Sequence, residues 1–216
     1  MGLILGIRLA RGSGARGARR LAPIAALALS LSFLGCHRIP PIDTSPLDNA
    51  GIGYDAVQQL KTLNITTLEI AEIVKAKRGG FSDDSCVEMV RIYRGRKQAF
   101  DAGDAIAGLV QAGMGQDTIL ALGRLNQLGL AAGELQAMRL AGLSDEIIFD
   151  VAQHHSAGQP VLSGVSLARL QNLGMRESTL LELVRRSIPD SETPTIVSLR
   201  RHGANDQQIL KRFAGS

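Results

Sequence analysis

The chain has 216 residues, 45% of them apolar and 20% charged, and its aromatic side chains are five Phe and two Tyr with no Trp. That length favours one domain or at most two, and the composition excludes a collagen-like, disulfide-rich or wholly disordered chain. The formal charge of +4 belongs to the leader, because residues 1–35 hold five arginines and no acidic residue and the remainder carries 19 basic against 20 acidic groups; it gives no general support for nucleic-acid binding.

Residues 1–35 have the three parts of a secretory signal peptide. Arg8, Arg11, Arg16, Arg19 and Arg20 form a basic start, Ile24 to Leu34 an apolar stretch, and Gly35-Cys36 a small-residue close. The uncharged run from Leu21 to Gly35 is 15 residues long and contains Pro23, short of the roughly 20 apolar residues that a spanning helix needs. Phe33-Leu34-Gly35-Cys36 resembles the lipobox of bacterial lipoproteins, with Gly35 as the usual small residue and Phe33 and Leu34 in place of the more usual Leu followed by Ala or Ser. The resemblance implies cleavage before Cys36, a diacylglyceryl thioether on its sulfur and an acyl group on its new amino terminus. Several acyl chains anchor stably where one binds only marginally. His37, not Asp, follows the cysteine, which by the same resemblance favours the outer membrane over the inner.

Residues 36–53 read as the lipidated cysteine and a flexible tether. Pro40, Pro41 and Pro46, then Gly51 and Gly53, oppose a regular helix, and the 17 residues after Cys36 reach about 55–60 Å at full extension. The folded body is expected over 54–216, opening with a helix over Tyr54 to Leu63.

That body repeats. With Gly80, Gly113, Gly142, Gly174 and Gly203 aligned, Ile73, Ile106, Leu135, Leu167 and Ile196 stand seven residues earlier, and Ala76, Leu109, Met138, Leu170 and Leu199 four earlier. Six residues later come Cys86, Ile119, Ile148, Leu180 and Ile209, followed by Val87, Leu120, Phe149, Leu181 and Leu210. All of these positions are apolar, at spacings that give each short helix one buried face. Each copy therefore reads as helix, glycine turn, helix, with the glycine where a helix end needs a left-handed residue. Ser82, Ser144 and Asn205 are the expected N-caps, with Asp83, Asp145 and Asp206 beside them at the positive helix end. Thr66 to Glu69 spells a capping box, and Thr193-Pro194 opens the last copy. One hairpin of about 30 residues cannot bury a sufficient core. The expectation is an all-α fold of about five tandem helix–turn–helix repeats, packed as a short array or a compact bundle, with His154 to Pro160 as a loop between copies three and four. The body resembles bacterial helical-repeat lipoproteins generally.

Several constellations bear on function. Each hairpin resembles helix-hairpin-helix DNA-binding modules, in which backbone N–H groups of a glycine-hydrophobic-glycine turn approach a phosphate. Only Gly113-Met114-Gly115 has both glycines; Ser82, Ser144, Arg176 and Asn205 take the second place elsewhere. With a near-neutral body, nucleic acid is not the expected partner. Lys75, Lys77, Arg78, Arg91, Arg94, Arg96 and Lys97 surround the first hairpin and alternate with Glu72, Asp83, Asp84 and Glu88. They read either as a solvated, ion-paired helix face or as a contact surface for anionic headgroups or wall polymer. A second basic group is Arg185, Arg186, Arg200, Arg201, Lys211 and Arg212.

Cys86 lacks an intrachain partner if Cys36 carries lipid, and at its apolar register it reads as a small buried hydrophobe. His154-His155 lacks the convergent ligands of a zinc site, and Asp83-Asp84 fits first-turn capping better than a catalytic pair. No nucleophile elbow, HExxH, phosphate loop or dinucleotide fingerprint occurs, so no catalytic residue, metal or cofactor is assigned. The expected function is non-catalytic binding or scaffolding at the cell envelope, on an envelope protein or a wall polymer, held to the membrane through Cys36. The alternatives are a cell-wall-binding module, an envelope hydrolase and an exported nucleic-acid binder.

Overall fold

The computed structural model describes residues 42–129 and 132–214; the leader, the lipobox and Cys36 lie outside them. The described residues form twelve α-helices and no strand. In chain order these are α1 Ser45–Asn49, α2 Tyr54–Thr62, α3 Thr67–Arg78, α4 Asp83–Gly95, α5 Gly103–Gln111 and α6 Gln116–Arg124. Then come α7 Ala132–Leu140, α8 Asp145–Ser156, α9 Gly164–Asn172, α10 Glu177–Arg185, α11 Thr193–Arg201 and α12 Asp206–Arg212, with one 3-10 turn at Asp190–Glu192. None exceeds 13 residues, so packing rather than intrinsic propensity holds them helical.

Left-handed residues end these helices one after another. The five aligned glycines all have positive φ, from 78° at Gly174 to 104° at Gly80. A sixth, Gly51 at 78°, makes α1 and α2 a hairpin of the same kind. Between hairpins the same conformation falls on Asn64, Lys97, Asn126, Gly158 and Ser187. At the first aligned turn, the Gly80 N–H donates to the Lys77 carbonyl and the Phe81 N–H to that of Ala76, the paired bonds of a Schellman ending. The same pair recurs at Gly113, Gly142, Gly174 and Gly203. The residue after the glycine then turns inward: Ile52, Phe81, Met114, Leu143 and Met175 are all buried.

The core follows the glycine frame. All five residues at the position seven before the glycine and all five at the position six after are buried, Cys86 among them, as are Ala76, Leu109, Met138 and Leu170. Leu199, Phe149, Leu181 and Leu210 are half-buried and packed against that core. Contacts between helices run within hairpins and between helices two apart: α1, α3, α5, α7 and α9 form one row, and α2, α4, α6, α8, α10 and α12 another. Every substantial helix–helix contact joins neighbours of this kind, which makes the body a two-row array and not a bundle closed on itself. The odd row packs closely where glycine permits: a Cβ at Gly103 would stand 2.1 Å from the Glu72 carbonyl oxygen, and one at Gly164 would stand 2.5 Å from Glu134 Cγ.

Three expectations need correction. The tether does not run to Gly53: α1 occupies Ser45–Asn49, and Leu47 and Ile52 are buried in the core. Pro46 is compatible with this because it sits in the first turn, where its missing N–H has no partner to lose. Among the described residues the repeats number six, the first hidden because Thr44 and Gln58 stand at registers that are apolar in the other copies. His154, His155 and Ser156 belong to the last turn of α8, and the loop begins only after them.

Candidate functional site: the polar seam between hairpins

Chemistry-bearing side chains collect along the seam where the even helices begin. The second residue after each turn glycine is the N-cap of an even helix, and in the first five hairpins its backbone N–H faces the next hairpin. Gly53 N–H donates to Asp83 Oδ2 at 2.8 Å, Ser82 N–H to Gln116 Oε1 at 3.0 Å, and Gly115 N–H to Asp145 Oδ2 at 3.2 Å. Ser144 N–H then donates to Glu177 Oε1 at 2.6 Å, and Arg176 N–H to Asp206 Oδ2 at 3.1 Å. Each acceptor is the first residue of the following even helix. A carboxylate there satisfies an orphan donor of one helix while lying at the positive end of its own. Thr118 and Thr179 hydroxyls complete the same Asp145 and Asp206 carboxylates, at 2.8 and 3.0 Å.

This arrangement bears on the helix-hairpin-helix likeness. In the one turn with both glycines, Gly113-Met114-Gly115, the Gly115 N–H is committed to Asp145. One of the turn's N–H groups is thus taken by a carboxylate of the chain itself.

Among the expected caps, Ser82 accepts from Ser85 N–H, Asn205 forms a reciprocal box with Gln208, and Thr66 does so with Glu69. Ser144 holds the N-cap position without a side-chain bond. Glu69 does more than cap. It is 1% exposed and accepts from Thr66 N–H at 2.8 Å, Thr66 Oγ1 at 3.0 Å, Arg94 Nη2 at 2.7 Å and Phe100 N–H at 2.9 Å. Burial pushes its carboxyl up, but the bonds from Arg94, Phe100 and Thr66 outweigh that and hold it below the ordinary glutamate range. Glu69 thereby ties α3, α4 and the start of the next hairpin together.

The seven cations of the first hairpin divide by what they touch. Lys75 pairs with Asp104 at 2.7 Å and Glu72 at 2.8 Å, and these two contacts raise its pKa. Lys77 pairs with Asp83 at 2.5 Å; burial raises the Asp83 carboxyl, while Lys77 and the Gly53 N–H bring it net below its usual value. Arg91 bonds Gln59 at 2.7 Å, with Glu88 at 3.8 Å. Arg94 serves Glu69 and also the Leu63, Asn64 and Gln98 carbonyls. Arg96 donates to the Gly123 carbonyl and lies 4.6 Å over the Tyr93 ring, within cation–π range. Arg78 and Lys97 are exposed and make no ion pair among the described residues. Five of the seven thus hold neighbouring segments.

Three arginines of the second group act alike. Arg200 donates to the Leu173, Gly174 and Ala204 carbonyls and pairs with Asp206 at 3.0 Å. Arg186 donates to the Leu210 carbonyl at 2.9 Å, and Arg185 pairs with Glu146 and Asp150, each at 2.9 Å. Arg139, which sequence reasoning did not single out, bonds the Gly113 and Leu143 carbonyls. Guanidinium groups at the carbonyl ends of helices satisfy the orphan acceptors there and meet the negative end of the dipole.

Cys86 is free and buried, and burial pushes its thiol up to about 12. His154 Nδ1 lies 2.8 Å from the Asp150 carbonyl oxygen one turn back. Among the described residues no group of His, Cys, Asp and Glu is placed to hold a metal ion, and no helix is long and apolar enough to cross a membrane. All five interhairpin N–H donors of the seam have acceptors, while the second oxygen of Asp145 is buried without a hydrogen bond and faces Arg139 at 3.5 Å; what this arrangement does is hold successive hairpins in register. No protein-family model matches the chain, and no curated protein matches it.

Proposed function

We propose that the chain is a lipid-anchored cell-envelope protein that works as a non-catalytic binding or scaffolding module. The observation that carries this reading is the unbroken series of cap bonds from Gly53 to Asp206. Side chains of the types that perform acid–base chemistry in enzymes are spent on register, and the product is a long two-row surface of short helices. Stacked hairpins of this kind present extended recognition faces. The leader and the lipobox-like Phe33-Leu34-Gly35-Cys36 support anchoring through Cys36, and a tether after the cysteine raises the local concentration of the array at the membrane. The residue after the cysteine, His37, supports the outer membrane as its destination.

The experiment is crosslinking of the full-length protein in its native cells beside a Cys36→Ser control. The expected result is recovery of a defined envelope protein with the anchored form only. Recovery of wall polymer instead, or the same protein set from both forms, would contradict the reading.

A further inference from the structure

The glycine frame also orders the outer face of the even row. Eight residues after the turn glycine stand Gln59, Glu88, Ala121, Asp150 and Glu182; eleven after it, in the second to fifth hairpins, stand Arg91, Arg124, Gln153 and Arg185. The first register of one hairpin accepts from the second register of the next. Arg91 reaches Gln59 at 2.7 Å, Arg124 reaches Glu88 at 3.0 Å, and Arg185 reaches Asp150 at 2.9 Å. At the carboxy-terminal end the series stops because Ala214 holds the donor register, and Glu182 turns to Arg186 at 2.8 Å. The single interior exception is the step from α6 to α8, where the two registers hold Ala121 and Gln153.

Where the pair is missing, α6 and α8 leave a notch of about 320 Å³ lined by Ala121, Phe149, Thr118, Asp117, Asp145 and Glu146. Its apolar lining is Ala121 and the half-buried Phe149. Its rim is acidic. Asp117 is exposed and carries no ion pair or hydrogen bond on its side chain among the described residues, whereas Glu146 is engaged by Arg185 at 2.9 Å and Asp145 faces Arg139 at 3.5 Å. At the flanking steps the corresponding positions hold bonded polar pairs, Arg124 with Glu88 and Arg185 with Asp150.

We infer that this notch is the point at which the array takes its protein partner, and that the partner presents one apolar side chain beside a lysine or arginine. The inference rests on the binding reading above and deepens it. The apolar anchor fills the gap between α6 and α8, the basic neighbour meets the unpaired Asp117 carboxylate, and the intact polar pairs on either side confine docking to this step. An anchor in a pocket within a polar surround is the arrangement in which a few residues dominate an interface.

The test places a photo-crosslinking benzoylphenylalanine in the full-length protein at Phe149 and, in a second form, at Leu140 on α7 of the other row, in native cells. The expected result is an adduct at Phe149 whose crosslinked peptide holds an apolar residue next to Lys or Arg. Combining the Phe149 probe with Ala121→Glu and Gln153→Arg, which supplies the missing pair, should cut adduct yield about tenfold or more. An unchanged melting temperature of that variant shows that the loss is not unfolding. An adduct at Leu140 with none at Phe149 overturns the notch and leaves the scaffold reading standing. Adducts at neither position overturn both. A crosslinked peptide lacking the basic neighbour, or yield unchanged by the added pair, also overturns the notch.

Discussion

Removing the Glu69 carboxylate tests whether buried polar groups hold the hairpins in register. In Glu69→Ala, the Phe100 N–H loses its acceptor inside the core, the Thr66 cap loses its reciprocal bond, and Arg94 loses its 2.7 Å partner. A buried donor left without a partner costs about 1–3 kcal/mol, and breaking a buried charged pair about 3–5 kcal/mol. The Arg94 side chain is 29% exposed, so water recovers part of its loss, and the net expectation is about 3–5 kcal/mol. Glu69→Gln keeps one acceptor oxygen for Phe100 but surrenders the charge and turns an NH2 toward other donors, for about 1.5–3 kcal/mol. The pH dependence follows from the lowered pKa: the carboxylate's contribution is fully present above its unfolded value and is lost as pH falls through the lower folded value. The stability difference between wild type and Glu69→Gln should therefore shrink in acid. Urea unfolding followed by far-UV circular dichroism at pH 7 and in acid measures each quantity. A loss below about 1 kcal/mol for Glu69→Ala at pH 7 would refute the reasoning.

Three further perturbations bear on the frame. Ile148 is fully buried at a repeated core position, so Ile148→Asp should cost more than about 4 kcal/mol and lower the melting temperature sharply; a near-unchanged melt would show the register to be wrong. Gly103→Ala would bring a methyl within 2.1 Å of the Glu72 carbonyl oxygen and force α3 and α5 apart, costing about 1–3 kcal/mol in the same urea assay; wild-type stability would mean the odd row is not so closely packed. With its thiol pushed up to about 12 by burial, Cys86 in a Cys36→Ser background should resist iodoacetamide at pH 8 and react once urea unfolds the chain; rapid labelling of the folded protein would contradict its burial.

The buried face of the array was legible in the sequence because glycine turns and apolar spacing are local properties. Ile73, Leu109, Ile119 and Ile148 all lie fully buried, as their register predicts. The first hairpin escaped because Thr44 and Gln58 break the apolar pattern while Leu47, Ile52 and Val57 still pack. The turns between hairpins were harder to see, since Asn64, Lys97, Asn126 and Ser187 adopt a conformation that their identities permit only weakly and that packing enforces. The polar seam was half visible. Asp83, Asp145 and Asp206 read correctly as first-turn acids, but a carboxylate's second role, toward an N–H about 30 residues away, depends on how hairpins stack. Extending the glycine alignment to its polar positions would have exposed this, because Gln116 and Glu177 share their register. The same alignment also carries a signal for two of the helix-end arginines, since Arg139 and Arg200 both stand three residues before a turn glycine, whereas Arg94 reaches carbonyls that only the fold brings near.

The mature amino terminus reports most directly on whether the array is held at a membrane as proposed. Mass spectrometry of the terminal peptide from protein purified out of native membranes should show a chain beginning at Cys36 and carrying a diacylglyceryl group and an amide-linked acyl chain. A mature protein that begins elsewhere, or that bears an unmodified Cys36, would show that the array is not anchored through that residue.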